Sequence, residues 1–385
     1  MDNFSYYNPV RVYFGAGQIA RIADEIAQDK RVMVVYGQGS VKTNGILNQV
    51  KSSLGNSTVY EFGGIEPNPH YETLLHAIDI VRTEHIDYLL AVGGGSVIDG
   101  TKFIAAAAKY AGDIWDIIDS RGEVVEDAIP LGCVLTLSAT GSEMNTGASI
   151  MRAVTRDKLF FRSVHVLPQF SVLDPETTYT LPQRQTANGV VDAFVHVLEQ
   201  YITWPVNASV QDRMAEGILN TLKEEGPKVL SMPGDYDARA NIMWSATIAL
   251  NGLLRTGVPE DWSSHMIGME LTGLYGLDHA RTLAVLIPAV WNYKINEKSE
   301  KLAQYATRVW GIPKSNRIDM ARQAIQCTTR FFELMGMKTH LSDYGLGAEI
   351  IPEVLNKLRE HGHTALGECH DITPENVESI LRIAL

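Results

Sequence analysis

Tyr88-Leu89-Leu90-Ala91-Val92-Gly93-Gly94-Gly95-Ser96-Val97-Ile98-Asp99-Gly100-Thr101-Lys102 is the stretch that decides the fold class of this chain. Its first five residues form a continuous apolar run of strand length, the kind buried on both faces of a parallel sheet. Three glycines end the run, and a helical pattern begins at once. A glycine turn between a strand and a helix N-terminus lets backbone N–H groups approach a phosphate closely, and the helix dipole favours the negative charge. Consecutive glycines lose the most chain entropy on folding, so a bare tight turn explains them less well. Gly93, Gly94, Gly95 and Ser96 are therefore candidate dinucleotide-binding residues. Asp99 and Lys102 follow in the first turns of the helix, Asp99 as an acceptor for a sugar or amide and Lys102 as a phosphate partner.

The same alternation extends to either side. Residues 32–36, 58–62 and 129–135 read as further buried strands, with helices over 17–27, 40–54, 71–83 and 96–111. Strand and helix in alternation mark a doubly wound α/β domain. After Leu181-Pro182 the texture changes to long helix-periodic segments at 183–203, 210–222, 238–254, 299–310 and 317–334. The reading is a dinucleotide-binding α/β domain over residues 1–181 and a helical domain over residues 182–385. Gly15-Ala16-Gly17-Gln18-Ile19-Ala20 matches the form G-x-G-x-x-A. No strand of the right length is evident before it, and it reads as a turn ahead of the first helix.

Composition bounds the partners. The 385 residues are 45% hydrophobic and 20% charged, an ordinary globular balance. Lys plus Arg number 33 against 45 Asp plus Glu, a formal charge of −12. That balance, with no basic run, argues against nucleic acid and against an anionic membrane surface. No apolar run reaches the ~18 residues of a membrane span. Met1-Asp2-Asn3-Phe4 lacks the features of a secretory signal, and three widely spaced cysteines read as reduced thiols. A cytoplasmic protein is expected.

Two further constellations carry chemistry. In Val35-Tyr36-Gly37-Gln38-Gly39-Ser40 the strand ends in glycine, where NAD enzymes commonly place a carboxylate on the adenosine ribose. Gly37, Gly39 and Ser40, with Lys42 following, suit a 2′-phosphate, so NADP(H) is expected over NAD(H). Within the apolar helix Gly189-Val190-Val191-Asp192-Ala193-Phe194-Val195-His196-Val197-Leu198, Asp192 and His196 stand one turn apart on one face. A buried ionisable pair is costly unless hydrogen-bonded or bound to a cation. His265 and His279 lie in similarly apolar, glycine-containing surroundings. Asp, His, His and His would make a mixed O/N site for one divalent ion, Zn²⁺ or Fe²⁺. A structural Asp–His hydrogen bond is the alternative, and spacing alone does not bring the two distant histidines to it. His361-Gly362-His363 and Cys369-His370 match no zinc spacing and read as part of the helical domain's edge.

The combination of Gly93-Gly94-Gly95-Ser96 with Asp99 and Lys102, Thr136…Thr140-Gly141-Ser142-Glu143, Asp192…His196 and His265…His279 resembles the iron-containing (group III) alcohol dehydrogenases over essentially the whole chain. Phe62-Gly63-Gly64-Ile65-Glu66-Pro67-Asn68-Pro69 and His340-Leu341-Ser342-Asp343-Tyr344-Gly345 resemble its branch of NADPH-dependent aldehyde reductases and butanol dehydrogenases. The resemblance implies a Rossmann-like N-terminal domain with a parallel sheet and an all-α C-terminal domain, the dehydroquinate synthase-like arrangement. It implies Asp192, His196, His265 and His279 as metal ligands and catalytic residues. Gly94, Gly95 and Ser96 would cradle a pyrophosphate, and Asn68, Thr136, Thr140 and Lys158 match positions that contact the dinucleotide. Gly37 stands where NAD-preferring members have an aspartate. Small residues and apolar side chains suggest a short to medium aliphatic aldehyde or alcohol as substrate, and the assembly the resemblance implies is a homodimer.

One position departs from the pattern. Members usually carry a second histidine four residues after the first of the C-terminal pair, and here it is Met269, whose thioether cannot relay a proton. Met269 motivates an alternative reading as a catalytically weak binding protein. A second alternative is a lyase of the dehydroquinate-synthase type. Such a lyase must hold a charged substrate, yet residues 259–280 contain no Lys or Arg.

Overall fold

Eight strands form along the first half of the chain: β1 (Arg11–Phe14), β2 (Arg31–Tyr36), β3 (Thr58–Phe62), β4 (Tyr88–Gly93), β5 (Leu131–Leu135), β6 (Gly147–Arg152), β7 (Asp157–Arg162) and β8 (Phe170–Leu173). The computed structural model describes every residue from Met1 to Leu385. Six of the strands pair in parallel in the order β1-β8-β5-β4-β2-β3, while β6 and β7 make a separate antiparallel hairpin. β4 and β5 are buried along their whole length, as central parallel strands covered on both faces must be.

Alternate residues serve alternate faces. Met33, Val35, Leu89, Ala91, Cys133 and Leu135 join one core cluster, and Val32, Val34, Leu90, Val92, Val134 and Val172 join the other. The covering helices of this half are α1 (Ile22–Glu25), α2 (Ser40–Thr43), α3 (Ile46–Leu54), α4 (Tyr71–Thr83), α5 (Gly95–Lys109) and α6 (Asp116–Asp119). The helix expected over 40–54 is broken at Asn44-Gly45, where Gly45 takes a left-handed φ of 82°.

β1 is the strand not evident before Gly15: four partly exposed residues on the sheet edge. The turn it feeds is nonetheless tied to the protein. Gly15 N donates to Leu173 O at 2.9 Å and Gly17 N to Asp174 Oδ2 at 2.7 Å.

The second half is helical: α7 (Gln183–Tyr201), α8 (Ser209–Ser231), α9 (Tyr236–Ala249), α10 (Ser263–Tyr275), α11 (His279–Tyr293), α12 (Ile295–Arg308), α13 (Arg317–Leu334), α14 (Ile351–Glu360) and α15 (Pro374–Ile383). α7 is buried continuously from Thr186 to Tyr201. α8 approaches it so closely that a Cβ on Gly226 would lie 2.9 Å from Val190.

Packing divides the chain into two compact units, and each takes a segment from the other's stretch of sequence. One comprises Tyr7–Pro182 with Gly234–Thr247; the other comprises Met1–Tyr6, Gln183–Pro233 and Ile248–Leu385. Most of α9 therefore belongs with the sheet. Met243 enters its core, and Thr247 Oγ1 donates to Glu143 Oε1 at 2.6 Å. In the helical unit, Asp2 N donates to Gly257 O at 3.0 Å. No helix is long and apolar enough to cross a membrane, and all three cysteines are free.

Candidate active site

In the helical unit, α7 presents a stripe of polar side chains at helical spacing that includes Arg184, Asn188, Asp192, His196 and Glu199. At one end, Arg184 Nε and Asn188 Nδ2 donate to Asp278 Oδ2 at 2.9 and 2.8 Å. Asp278 precedes α11, so these bonds fix where that helix starts and with it His279. At the other end, Glu199 holds the entry to α10, which carries His265 in its first turn. The ligand atoms of Asp192, His265 and His279 lie within 4.8 Å of one another.

His196 flanks that trio. Its ring stacks on His265 with centroids 5.0 Å apart, and its Nε2 is 3.7 Å from Asp192 Oδ1. Asp192 Oδ1 is buried and accepts no hydrogen bond. A buried carboxylate oxygen left in that state costs several kcal/mol unless a cation meets it. A carboxylate with imidazoles is a donor set suited to Zn²⁺ or Fe²⁺. The residues fit a divalent metal.

Glu199 escapes a reading by motif. It is 2% exposed and lies seven residues after Asp192 on the same face. Its Oε1 is 2.9 Å from His265 Nδ1 and also receives the Ser264 hydroxyl, and Trp262 N donates to Oε2 at 3.2 Å. Burial, with Asp261 alongside, pushes the Glu199 carboxyl up to about 8. Nearby, Lys298 pairs with Asp261 at 2.8 Å and Glu368 at 2.6 Å. Burial alone would lower the Lys298 ammonium, but those two carboxylates hold its pKa above the ordinary lysine value.

In the sheet unit, the glycine turn is packed too tightly for side chains. A Cβ would lie 2.5 Å from Val97 at Gly93, 2.9 Å from Leu137 at Gly94 and 2.4 Å from Thr140 Oγ1 at Gly95. Thr136 N donates to Gly93 O at 3.0 Å, and Asn68 N to Ser96 Oγ at 3.1 Å. Asn68, Ser96, Thr136 and Thr140 thus gather around one strand-to-helix junction. Gly37 follows the end of β2 beside it, with Val97 3.7 Å from where its Cβ would be. Gly39, with φ 104°, and Ser40 start α2.

Two expectations in this unit need correcting. Lys102 does not meet a phosphate. It is fully buried, and its Nζ donates to Ser142 Oγ at 2.9 Å, Asn145 O at 2.8 Å, Asn145 Oδ1 at 3.1 Å and Gly147 O at 2.8 Å. Burial pushes its pKa down to about 8, opposed by Asp99. Asp99 likewise spends its oxygens on the protein, accepting from Ser142 Oγ at 2.6 Å and Ser149 N at 2.9 Å. Burial raises its pKa, and Lys102, Ser142 and Lys158 are among the groups that oppose the rise. Lys158 itself is buried on β7. Lys42, with its side chain about half exposed, pairs with Glu61 at 3.2 Å and lies over the Tyr36 ring.

Met269 is buried one turn beyond His265. In the C-terminal segment, His361 Nδ1 lies 2.7 Å from Glu270 Oε1, a partly buried histidine–carboxylate contact.

Comparison with known proteins covers both units. The family model for iron-containing alcohol dehydrogenase matches residues 9–175, and that for the Fe-containing alcohol dehydrogenase family, C-terminal, matches residues 186–385. The NADPH-dependent aldehyde reductase YqhD of Escherichia coli K12 is 58% identical over 97% of each chain. A probable NADH-dependent butanol dehydrogenase of Bacillus subtilis is 40% identical over 100% of each. The crystal structure of E. coli K-12 YqhD superimposes with a TM-score of 0.99 at 56% identity, covering 100% of this chain and 99% of that one.

Proposed function

Because the chain belongs to the iron-containing alcohol dehydrogenase family, we propose that it interconverts short to medium aliphatic aldehydes and alcohols with NADP(H) and one divalent ion, Zn²⁺ or Fe²⁺. Asp192, His196, His265 and His279 would hold the ion. The observation that carries the reading is the approach of Asp192, His265 and His279 within 4.8 Å beside a carboxylate oxygen that accepts no hydrogen bond. When bound, the metal supplies a Lewis acid for the carbonyl oxygen and the dinucleotide supplies the hydride.

The protein's own share is placement and charge. Asp192 contributes the single negative charge among the ligands, so the neutral imidazoles leave the centre electrophilic. The backbone N–H groups at Gly94, Gly95 and Ser96 would bind the pyrophosphate at the start of α5, with Asn68, Thr136, Thr140 and Lys158 around it. Gly37, Gly39 and Ser40 leave the adenosine ribose without a carboxylate, which favours a 2′-phosphate. The 58%-identical relative is named as NADPH-dependent, which supports that preference, whereas the 40%-identical one is named as NADH-dependent. Asp99 and Lys102 act indirectly, by bracing the loop that carries Thr140. The Met269 sulfur carries no proton, so the proton needed by the alcohol comes from solvent or a cofactor hydroxyl. A cytoplasmic homodimer completes the proposal.

The test is metal analysis followed by a panel of aldehydes and alcohols assayed with NADPH and NADH. The expected result is aldehyde reduction that prefers NADPH, is lost to a chelator and returns with Zn²⁺ or Fe²⁺. Full activity in a metal-free preparation, or none with any simple aldehyde, would refute it.

A further inference from the structure

We propose that Glu199 is a positioning residue for the metal centre: anchored on α7, it fixes the ring of His265 so that Nε2 is the nitrogen offered to the ion. The proposal rests on the reading that Asp192, His196, His265 and His279 bind a metal.

The argument begins with the stripe on α7. Glu199 follows His196 by three residues and Asp192 by seven, so one rigid helix carries two of the four ligands and the group that orders a third. Around the entry to α10, Glu199 makes a set of contacts that converge on His265. Its backbone oxygen accepts from Asp261 N at 2.9 Å. Its Oε2 accepts from Trp262 N at 3.2 Å, and its Oε1 accepts from the Ser264 hydroxyl and lies 2.9 Å from His265 Nδ1. Those contacts pin a turn with an uncommon backbone, because Trp262 has a left-handed φ of 60°. A bulky residue is held there only when its surroundings over-determine it.

The contact at Nδ1 has a chemical consequence. Oε1 is an acceptor, as the Ser264 hydroxyl shows, and an acceptor at that nitrogen favours the tautomer with the proton on Nδ1 and the lone pair on Nε2. It also raises the basicity of the ring as a ligand. Lys298, paired with Asp261 at 2.8 Å, places a buried positive charge near these groups.

The experiment uses the full-length protein stripped of metal by chelator dialysis. Zn²⁺ is titrated against a chromophoric chelator, and Co²⁺ is followed by its visible ligand-field bands. Glu199→Gln keeps the size of the side chain and should weaken Zn²⁺ binding about 10–100-fold. It should also shift the Co²⁺ bands and leave the melting temperature of the metal-free protein near that of the parent. Glu199→Asp, which keeps the carboxyl but withdraws it by one methylene, should fall between the two.

Zn²⁺ binding and Co²⁺ bands unchanged in Glu199→Gln would overturn the proposal. Should that variant fail to fold, Ser264→Ala decides: a several-fold weakening of Zn²⁺ supports the proposal, and an unchanged affinity overturns it. Asp192→Asn separates the two levels of the reading. If it binds Zn²⁺ as tightly as the parent, the metal-site reading itself fails. If it loses the ion while Glu199→Gln does not, only the role of Glu199 falls.

Discussion

α5 and α7 both bury charged side chains at helical spacing, yet they put them to different ends. On α5, Lys102 spends its ammonium on four protein acceptors, and Asp99 accepts from Ser142 and Ser149. On α7, Asp192 keeps a buried oxygen that accepts no hydrogen bond, and two histidines from other helices approach it. The difference teaches how to tell a brace from a binding site when both consist of buried ions. A brace is saturated by the protein, whereas a site holds back a donor or acceptor for something else.

The comparison breaks or sharpens at measurable points. Asp192→Asn should remove the metal and lower kcat/KM for aldehyde reduction at least about a hundredfold. The metal-free protein should melt where the parent does, and metal analysis beside a melting curve checks both. Lys102→Met should do the reverse. Stranding its buried acceptors should cost about 3 kcal/mol of stability by urea denaturation, with Zn²⁺ affinity unchanged. Its pH dependence has a definite sign. The folded pKa, pushed down to about 8, lies below the ordinary lysine value near 10.5. Between those values the unfolded chain binds more protons, so this group's contribution to stability rises with pH across that window. Lys102→Met should flatten the rise, as urea midpoints at successive pH values will tell.

A smaller effect is expected at the nucleotide end. A Cβ on Gly37 meets Ile65 O at 3.5 Å and Val97 at 3.7 Å, ordinary contact distances. Gly37→Asp should therefore fold normally and shift the NADPH-to-NADH ratio of kcat/KM about tenfold toward NADH, because a carboxylate repels a 2′-phosphate and accepts from ribose hydroxyls. The smallest change is expected of Met269→His. It should raise the aldehyde reduction rate a few-fold at constant metal content, by restoring a proton-bearing ring. No change would show that solvent already suffices.

Much of the α5 region is legible in sequence because its signals are local. A continuous apolar strand, three glycines and a helix lie in one run of residues. What the run does not reveal is that Lys102 turns inward, since that depends on Ser142 and Asn145 some forty residues on. The hairpin β6–β7 is hidden because its strands are half-buried and mixed in pattern. β1 is hidden because it is only four residues long, with both of its ends exposed at the sheet edge.

In the α7 region, Asp192 and His196 can be read from their spacing, but their approach to His265 and His279 cannot. α10 is buried almost throughout from Ser263 to Leu274, so it shows no contrast between faces for periodicity to detect. α14 is different: Ile351, Val354, Leu355 and Leu358 make a sided pattern that was open to reading. So was Glu199, seven residues from Asp192, once the stripe on α7 is traced past its second member.

The exchange of segments has a consequence for how the chain is made. Glu143 waits for a hydroxyl from Thr247, and the sheet's core waits for Met243. On the ribosome, the unit of the sheet cannot be completed until the 65 residues from 183 to 247 have also emerged, by which time all of α7 and α8 have been synthesised. Cutting the gene at codon 182 would separate the sheet from part of its own interior. The two units are thus bound to a shared timetable of synthesis, although each packs as a body of its own.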